Sequence, residues 1–130
     1  MKKVEKLDRK NILIVDDNKE NRFLMKILLK KHGAVIDEAV NGKEAIDKIL
    51  AKQYDVILMD IQMPIMDGYE ATIKIREMEK NKIISKNTII AVSAYCLKED
   101  VKKAMDTGCD FHIDKPIVRD VFLEQVSSFL

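Results

Sequence analysis

Three apolar runs in this 130-residue chain end in residues able to do chemistry. "ILIV" at 12–15 runs into Asp16 and Asp17, "VILM" at 56–59 into Asp60, and "IIAV" at 89–92 into Ser93. A shorter stretch, "CDFHID" at 109–114, leads into Lys115 and Pro116. If these are strands of one parallel sheet, their carboxyl ends share one edge, the edge at which such sheets bind ligands. Three carboxylates, one hydroxyl and one ammonium then converge. Turns supply Asp anywhere on a surface, but they do not explain this selection. Crowded carboxylates raise each other's pKa unless a cation screens them. A hard divalent ion with oxygen ligands is the natural partner, and Mg2+, which keeps waters and takes few carboxylates plus phosphate, suits the set. No His/Cys cluster points to zinc. A cation beside a free carboxylate and a lysine has the parts of a phosphoryl-transfer centre, because both positive groups offset charge developing on the transferred group. One carboxylate would be the nucleophile, and its product an acyl phosphate.

The elements that must position these residues are legible in the pattern. "ILIV" is apolar without alternation, as a strand covered on both faces requires. A helix follows over 19–31, with Phe23, Leu24, Ile27 and Leu28 as its apolar stripe, Asn18 as its cap and Gly33 as its stop. "AVIDEA" reads as a short strand near an edge. "GKEAIDKILAKQ" reads as a helix with Ala45, Ile46, Ile49 and Leu50 inward. "YDVILMD" repeats the design of the first strand, and "MPIMDG" is a loop punctuated by Pro64 and Gly68. "YEATIKIREMEK" is helical, "TIIAVSA" is a buried strand, and "LKEDVKKAMDTG" is a polar helix stopped by Gly108. "CDFHID" is a short fifth strand broken by Pro116, and "VRDVFLEQVSSFL" is a closing amphipathic helix. Strands alternating with helices over short connections predict a single doubly wound α/β domain, a parallel sheet with helices on both faces.

Composition narrows the function classes. Lys plus Arg is 23 and Asp plus Glu is 22, so the net charge is +1, which argues against direct nucleic-acid binding. Aromatic content of 5% leaves little for a base-stacking surface. No apolar run approaches the ~20 residues of a membrane span, so membrane insertion is not expected. "MKKVEKLDRK" lacks the apolar stretch of a signal peptide and reads as a solvated tail or linker over residues 1–10. Cys96 and Cys109 match no zinc or redox spacing and read as reduced thiols in a cytoplasmic protein. Neither GxGxxG nor GxxxxGK[ST] is present. Haloacid-dehalogenase-like phosphatases also use a strand-end Asp, but they need a second Asp two residues on, where this chain has Gln62.

"ILIVDDNKENR", "YDVILMDIQMPIMDGYEATIKIR", "IIAVSA" and "DKP" stand in order, each at a strand end, and in that order they closely resemble the receiver domain of two-component response regulators. The wording of the second resembles receivers of hybrid histidine kinases. The resemblance covers residues 11–130 and implies a flavodoxin-like strand order 2-1-3-4-5. It implies that Asp60 is phosphorylated and that Asp17 ligates Mg2+ directly, with Asp16 as its neighbour and the Gln62 backbone carbonyl as a further ligand. It makes Ser93 the switch hydroxyl and Lys115 the partner of the phosphoryl group, with Pro116 following in a cis bond. The implied partners are a sensor histidine kinase or phosphotransfer protein and, after phosphorylation, a second copy of the chain. Such a domain catalyses its own phosphorylation and dephosphorylation rather than turning over a separate substrate. The competing reading is a non-catalytic interaction module of receiver fold, whose signature would be loss of the aspartate or the lysine. One position departs from the family pattern. His112 stands where Tyr or Phe is usual in the aromatic switch, and it reads as a partly exposed edge-strand side chain, with Phe111 pointing to the other face.

Overall fold

The computed structural model describes residues 4–94 and 97–130, so the reading of Cys96 lies outside the described residues. Among the described residues five strands, β1 (Asn11–Val15), β2 (Val35–Ala39), β3 (Val56–Asp60), β4 (Ile89–Ser93) and β5 (Phe111–Asp114), pair in parallel in the order 2-1-3-4-5. Between and after them run α1 (Lys19–Lys30), α2 (Gly42–Ala51), α3 (Gly68–Lys80), α4 (Lys98–Thr107) and α5 (Arg119–Ser127). Side chains alternate across the pleat. Leu13, Val15, Ile57, Met59, Ile89 and Ala91 pack in one core with α2 and α3. Ile12, Ile14, Val56, Leu58, Ile90 and Val92 pack in a second core with α1 and α5. Both faces are covered, which is why β1, β3 and β4 are apolar without alternation. No described helix is long and apolar enough to cross a membrane.

The helix starts follow local chemistry. Asn18, Asn41 and Asp67 each accept a hydrogen bond from a backbone N–H in the first turn of α1, α2 and α3. Gly108 ends α4 with φ of 116°, the left-handed conformation that glycine adopts without steric cost.

Three expectations are corrected. The apolar stripe of α1 that meets the core is Met25, Leu28 and Leu29, whereas Phe23, Leu24 and Ile27 are exposed. The helix carries two overlapping apolar stripes, and only one of them packs against the sheet. On α2, Ala45, Ile46 and Ile49 are buried but Leu50 is exposed. Of the stretch expected to be a solvated tail, the described residues 4–10 are anchored to the domain at Leu7. Glu5–Leu7 form a 3-10 turn, Leu7 is fully buried in the core beneath α1, and the Val4 N–H donates to His32 Nδ1 at 2.7 Å.

The amino edge of the sheet is tied by one guanidinium. Arg76 of α3 donates to the carbonyls of Gly108 (2.8 Å) and Asn87 (2.7 Å) and to carboxylate oxygens of Glu79 and Asp110 (both 2.8 Å). Asp110 in turn accepts from the Ile89 N–H. Loop backbone that would otherwise be unsatisfied is thereby held beneath β4 and β5.

Truncating a fully buried leucine removes transfer energy and leaves a cavity, so Leu7→Ala should cost about 2–4 kcal/mol. Urea unfolding of the two proteins measures this, and equal midpoints would return residues 4–10 to the status of a tail.

Candidate functional site

Parallel register brings the strand ends together. Asp60 is the last residue of β3, alongside Val92, and Ser93 at the end of β4 lies alongside Asp114. Asp16 follows β1 directly, and its N–H still donates to Ala39 of β2. The Lys115 N–H donates to the Ser93 carbonyl at 2.9 Å, which sets the root of the lysine side chain at this edge. The Lys115–Pro116 bond is cis.

The side chains converge on a cleft of about 270 Å3. Asp16, Asp17, Asp60, Gln62, Ser93 and Lys115 all line it, together with Asn18, Asn21 and Ala94. Asp16, Asp17 and Asp60 can each aim one carboxylate oxygen so that the three lie within 4.8 Å of one another. Asp16 and Asp60 are buried and Asp17 is exposed. Lys115 Nζ lies 3.0 Å from Asp16 Oδ2 and 3.5 Å from Asp60 Oδ1, an ammonium between two carboxylates.

Burial pushes the Asp60 carboxyl up to about 6, and the Asp16 charge adds to the shift. Lys115 and the Gln62 backbone N–H act against it, and Asp17 raises it further. One ammonium therefore does not neutralise the cluster. Its donor set is oxygen only and carries an excess of negative charge, which fits a hard divalent cation. A larger groove of about 600 Å3 opens between α3 and α4, but its charged groups lack this convergence, and Lys102 and Asp106 within it pair with each other at 2.6 Å.

α3 begins directly against the backbone of Asp60. The Gly68 N–H donates to the Ile61 carbonyl at 2.9 Å, and a Cβ at this position would collide with the Asp60 carbonyl. Glycine is required here for close approach.

His112 does not line the cleft, and while the residue is partly exposed its side chain is more covered than expected. Its side chain is 5% exposed, Nδ1 is 3.0 Å from Asp114 Oδ1, and Nε2 is buried without a hydrogen-bond partner among the described residues. His112 pairs with Ala91 on the face of the α3-side core, and α4 packs against β5. Phe111 does point to the other face, against Phe129 at 5.4 Å. Cys109 is a buried free thiol whose pKa burial pushes up.

Sequence reasoning missed Asn21 and Arg22. Asn21 lines the cleft, and Arg22 donates from Nη1 to the Asp16 carbonyl at 2.7 Å. Both stand in "NKENR", one helical turn after the acidic pair, but side-chain direction on a helix cannot be read until the helix is docked.

A family model described as the response regulator receiver domain matches residues 12–127. The hybrid signal transduction histidine kinase I of Dictyostelium discoideum is 42% identical over 122 residues, covering 90% of this chain and 7% of that protein. The chain spans 13% or less of the length of the curated relatives it matches. The receiver domain of sensor histidine kinase PA1611 from Pseudomonas aeruginosa PAO1, solved with a magnesium ion coordinated in its active-site cleft, is 30% identical with a TM-score of 0.81. That match covers 92% of this chain and 95% of the other. The co-crystal structure of the Saccharomyces cerevisiae phosphotransfer protein Ypd1 with the receiver domain of Ssk1 matches at 30% identity and a TM-score of 0.85, over 94% of this chain and 89% of that one.

Asp60 titrates higher in the folded chain than its ordinary value of 3.8, so folding favours its protonated form. The stability associated with Asp60 is full below about pH 4 and is lost as pH rises towards about 6. Asp60→Asn should therefore stabilise the metal-free protein near neutral pH, on the order of 1 kcal/mol or a few degrees of melting temperature after solvent screening. The gain should vanish near pH 4. A melting difference independent of pH would show that the strain does not reside on Asp60.

Proposed function

Because the chain belongs to the response regulator receiver domain family, we propose that residues 11–130 form a phosphoacceptor signalling module that takes a phosphoryl group from a phosphohistidine onto Asp60. The observation that carries this reading is one buried carboxylate, pushed up to about 6, with a lysine ammonium 3.5 Å away and two further carboxylates in the same cleft. A non-catalytic module would have no use for that arrangement, which costs stability.

Mg2+ is the cation the oxygen donor set suits. Asp17, Asp60 and the Gln62 carbonyl would hold it, with Asp16 acting through water, and when bound it would offset charge on the transferred group. The remaining steps belong to the chain. An Asp60 carboxylate oxygen attacks the phosphorus in line, the P–N bond breaks, and the imidazole leaves with the electron pair, so that Asp60 ends as an acyl phosphate. Lys115 Nζ, already between Asp16 and Asp60, turns to a phosphoryl oxygen. The buried Ser93 hydroxyl donates to another, and that movement at the end of β4 is the switch. Hydrolysis by water restores Asp60, so the chain catalyses its own modification and its reversal.

The donor is a sensor histidine kinase or a phosphotransfer protein. α1 starts at the acidic pair, and its outward residues Phe23, Leu24 and Ile27 offer an apolar surface beside the cleft. An apolar anchor there would hold the donor histidine over Asp60.

Incubation with Mg2+ and a small phosphodonor, followed by intact mass measurement and peptide mapping, should show one phosphoryl group on Asp60 and none on Asp60→Asn. A label elsewhere, with Asp60 unmodified, sinks the mechanism. Phe23→Ala should slow transfer from a phosphohistidine protein by roughly five- to tenfold and leave reaction with the small donor near wild type. Parallel losses with both donors would exclude α1 from docking.

A further inference from the structure

We infer that Arg22 is a positioning residue for the acidic pair: its guanidinium, braced by Glu38, fixes the Asp16 carbonyl and with it the direction in which Asp17 presents its carboxylate to a divalent cation. The inference rests on the metal reading of the cleft.

Asp16 sits one residue beyond β1 and is wholly buried, so each of its polar groups needs a protein partner. Its N–H donates to the Ala39 carbonyl at 3.1 Å. Its carboxylate is engaged, Oδ1 accepting from the Asn18 N–H at 2.8 Å and Oδ2 from Lys115 Nζ at 3.0 Å. The carbonyl remains, past the end of the sheet ladder, and Arg22 Nη1 meets it at 2.7 Å.

Arg22 is not a surface residue that happens to touch this oxygen. Its side chain is 14% exposed, and Nε donates to Glu38 Oε1 at 3.2 Å. Glu38 lies on β2 and also takes Lys26 Nζ from α1 at 3.2 Å. Burial works against ionisation of Glu38, but Lys26 and Arg22 outweigh it and its carboxyl titrates below its ordinary value. The guanidinium is thus held at two points, against the edge strand and against the loop that carries the acids. A planar fork with donors on separate nitrogens can do this, and an ammonium cannot reproduce both contacts in the same geometry.

The link to Asp17 is covalent. The Asp16 carbonyl and the Asp17 N–H share one rigid peptide plane, so holding the oxygen sets where the Asp17 Cα and its side chain can go. Asp17 is the exposed member of the three carboxylates and has the most need of such orientation. Groups that orient metal ligands are commonly worth an order of magnitude in metal affinity.

Charge and geometry predict opposite signs here. Arg22 is a cation close to a cation site, so by electrostatics alone its removal would tighten metal binding. Positioning requires that its removal weaken it.

The experiment is calorimetric titration of MgCl2 into wild type, Arg22→Ala and Arg22→Lys, each checked for folding by thermal melting in metal-free buffer. Arg22→Ala should bind Mg2+ roughly tenfold more weakly, with Arg22→Lys between it and wild type. In phosphorylation by a small donor, the half-saturating Mg2+ concentration should rise by a larger factor than the maximal rate falls. Folded Arg22→Ala that binds Mg2+ as tightly as wild type, or more tightly, overturns the inference. Should Arg22→Ala not fold, Arg22→Lys decides, with weaker binding expected and unchanged or tighter binding fatal. Wild type that fails to bind Mg2+ at all would instead overturn the metal reading beneath it.

Discussion

Three carboxylates that can bring their oxygens within 4.8 Å of one another are the constraint to which the rest of this structure answers. Parallel pairing creates it, because β1 and β3 are neighbours that run the same way and each delivers its acid at the same edge. Burial and then repulsion raise the Asp60 carboxyl, and one lysine, placed just after β5, offsets only part of the excess. The site is therefore charged for a reaction before any cation or phosphoryl group arrives. A group bringing positive charge or donors to this edge binds in proportion to the repulsion it relieves.

Keeping such a cluster in place is a matter of backbone as much as of charge. Asp16 has all its polar groups occupied, by Ala39, Asn18, Lys115 and Arg22. Asp60 is backed by Gly68, whose missing side chain lets α3 press against the Asp60 carbonyl. Buried polar groups this fully satisfied leave few alternative arrangements.

The two edges of the sheet divide the labour. At the amino edge Arg76 ties α3 to the loops entering β4 and β5, and Leu7 closes the core beneath α1. At the carboxyl edge stability is given up to hold like charges together. A scaffold rigid at one end and strained at the other is a common way for a fold to carry a switch. His112 belongs to neither extreme, since its side chain is covered and pairs with Asp114 yet keeps one ring nitrogen unpartnered among the described residues.

The sequence by itself determined the layout. Apolar runs of strand length alternating with helical patterns required a doubly wound sheet. Placing Asp16, Asp17, Asp60, Ser93 and Lys115 immediately after successive strands required them to meet, because parallel strands end on one edge whatever the packing details. Tertiary structure alone decided which side of α1 faces inward, since Phe23, Leu24 and Ile27 have helical spacing as good as that of Met25, Leu28 and Leu29. It also decided that Leu50 is exposed, that Leu7 is core and that the side chain of His112 is covered. Periodicity reports which positions share a face, but the face that is covered depends on neighbours distant in the chain. Arg22 shows the same limit at the site. Its place in "NKENR" was plain, yet its role depends on Glu38 from an adjacent strand and on a buried carbonyl that exists only once β1, β2 and α1 are packed together.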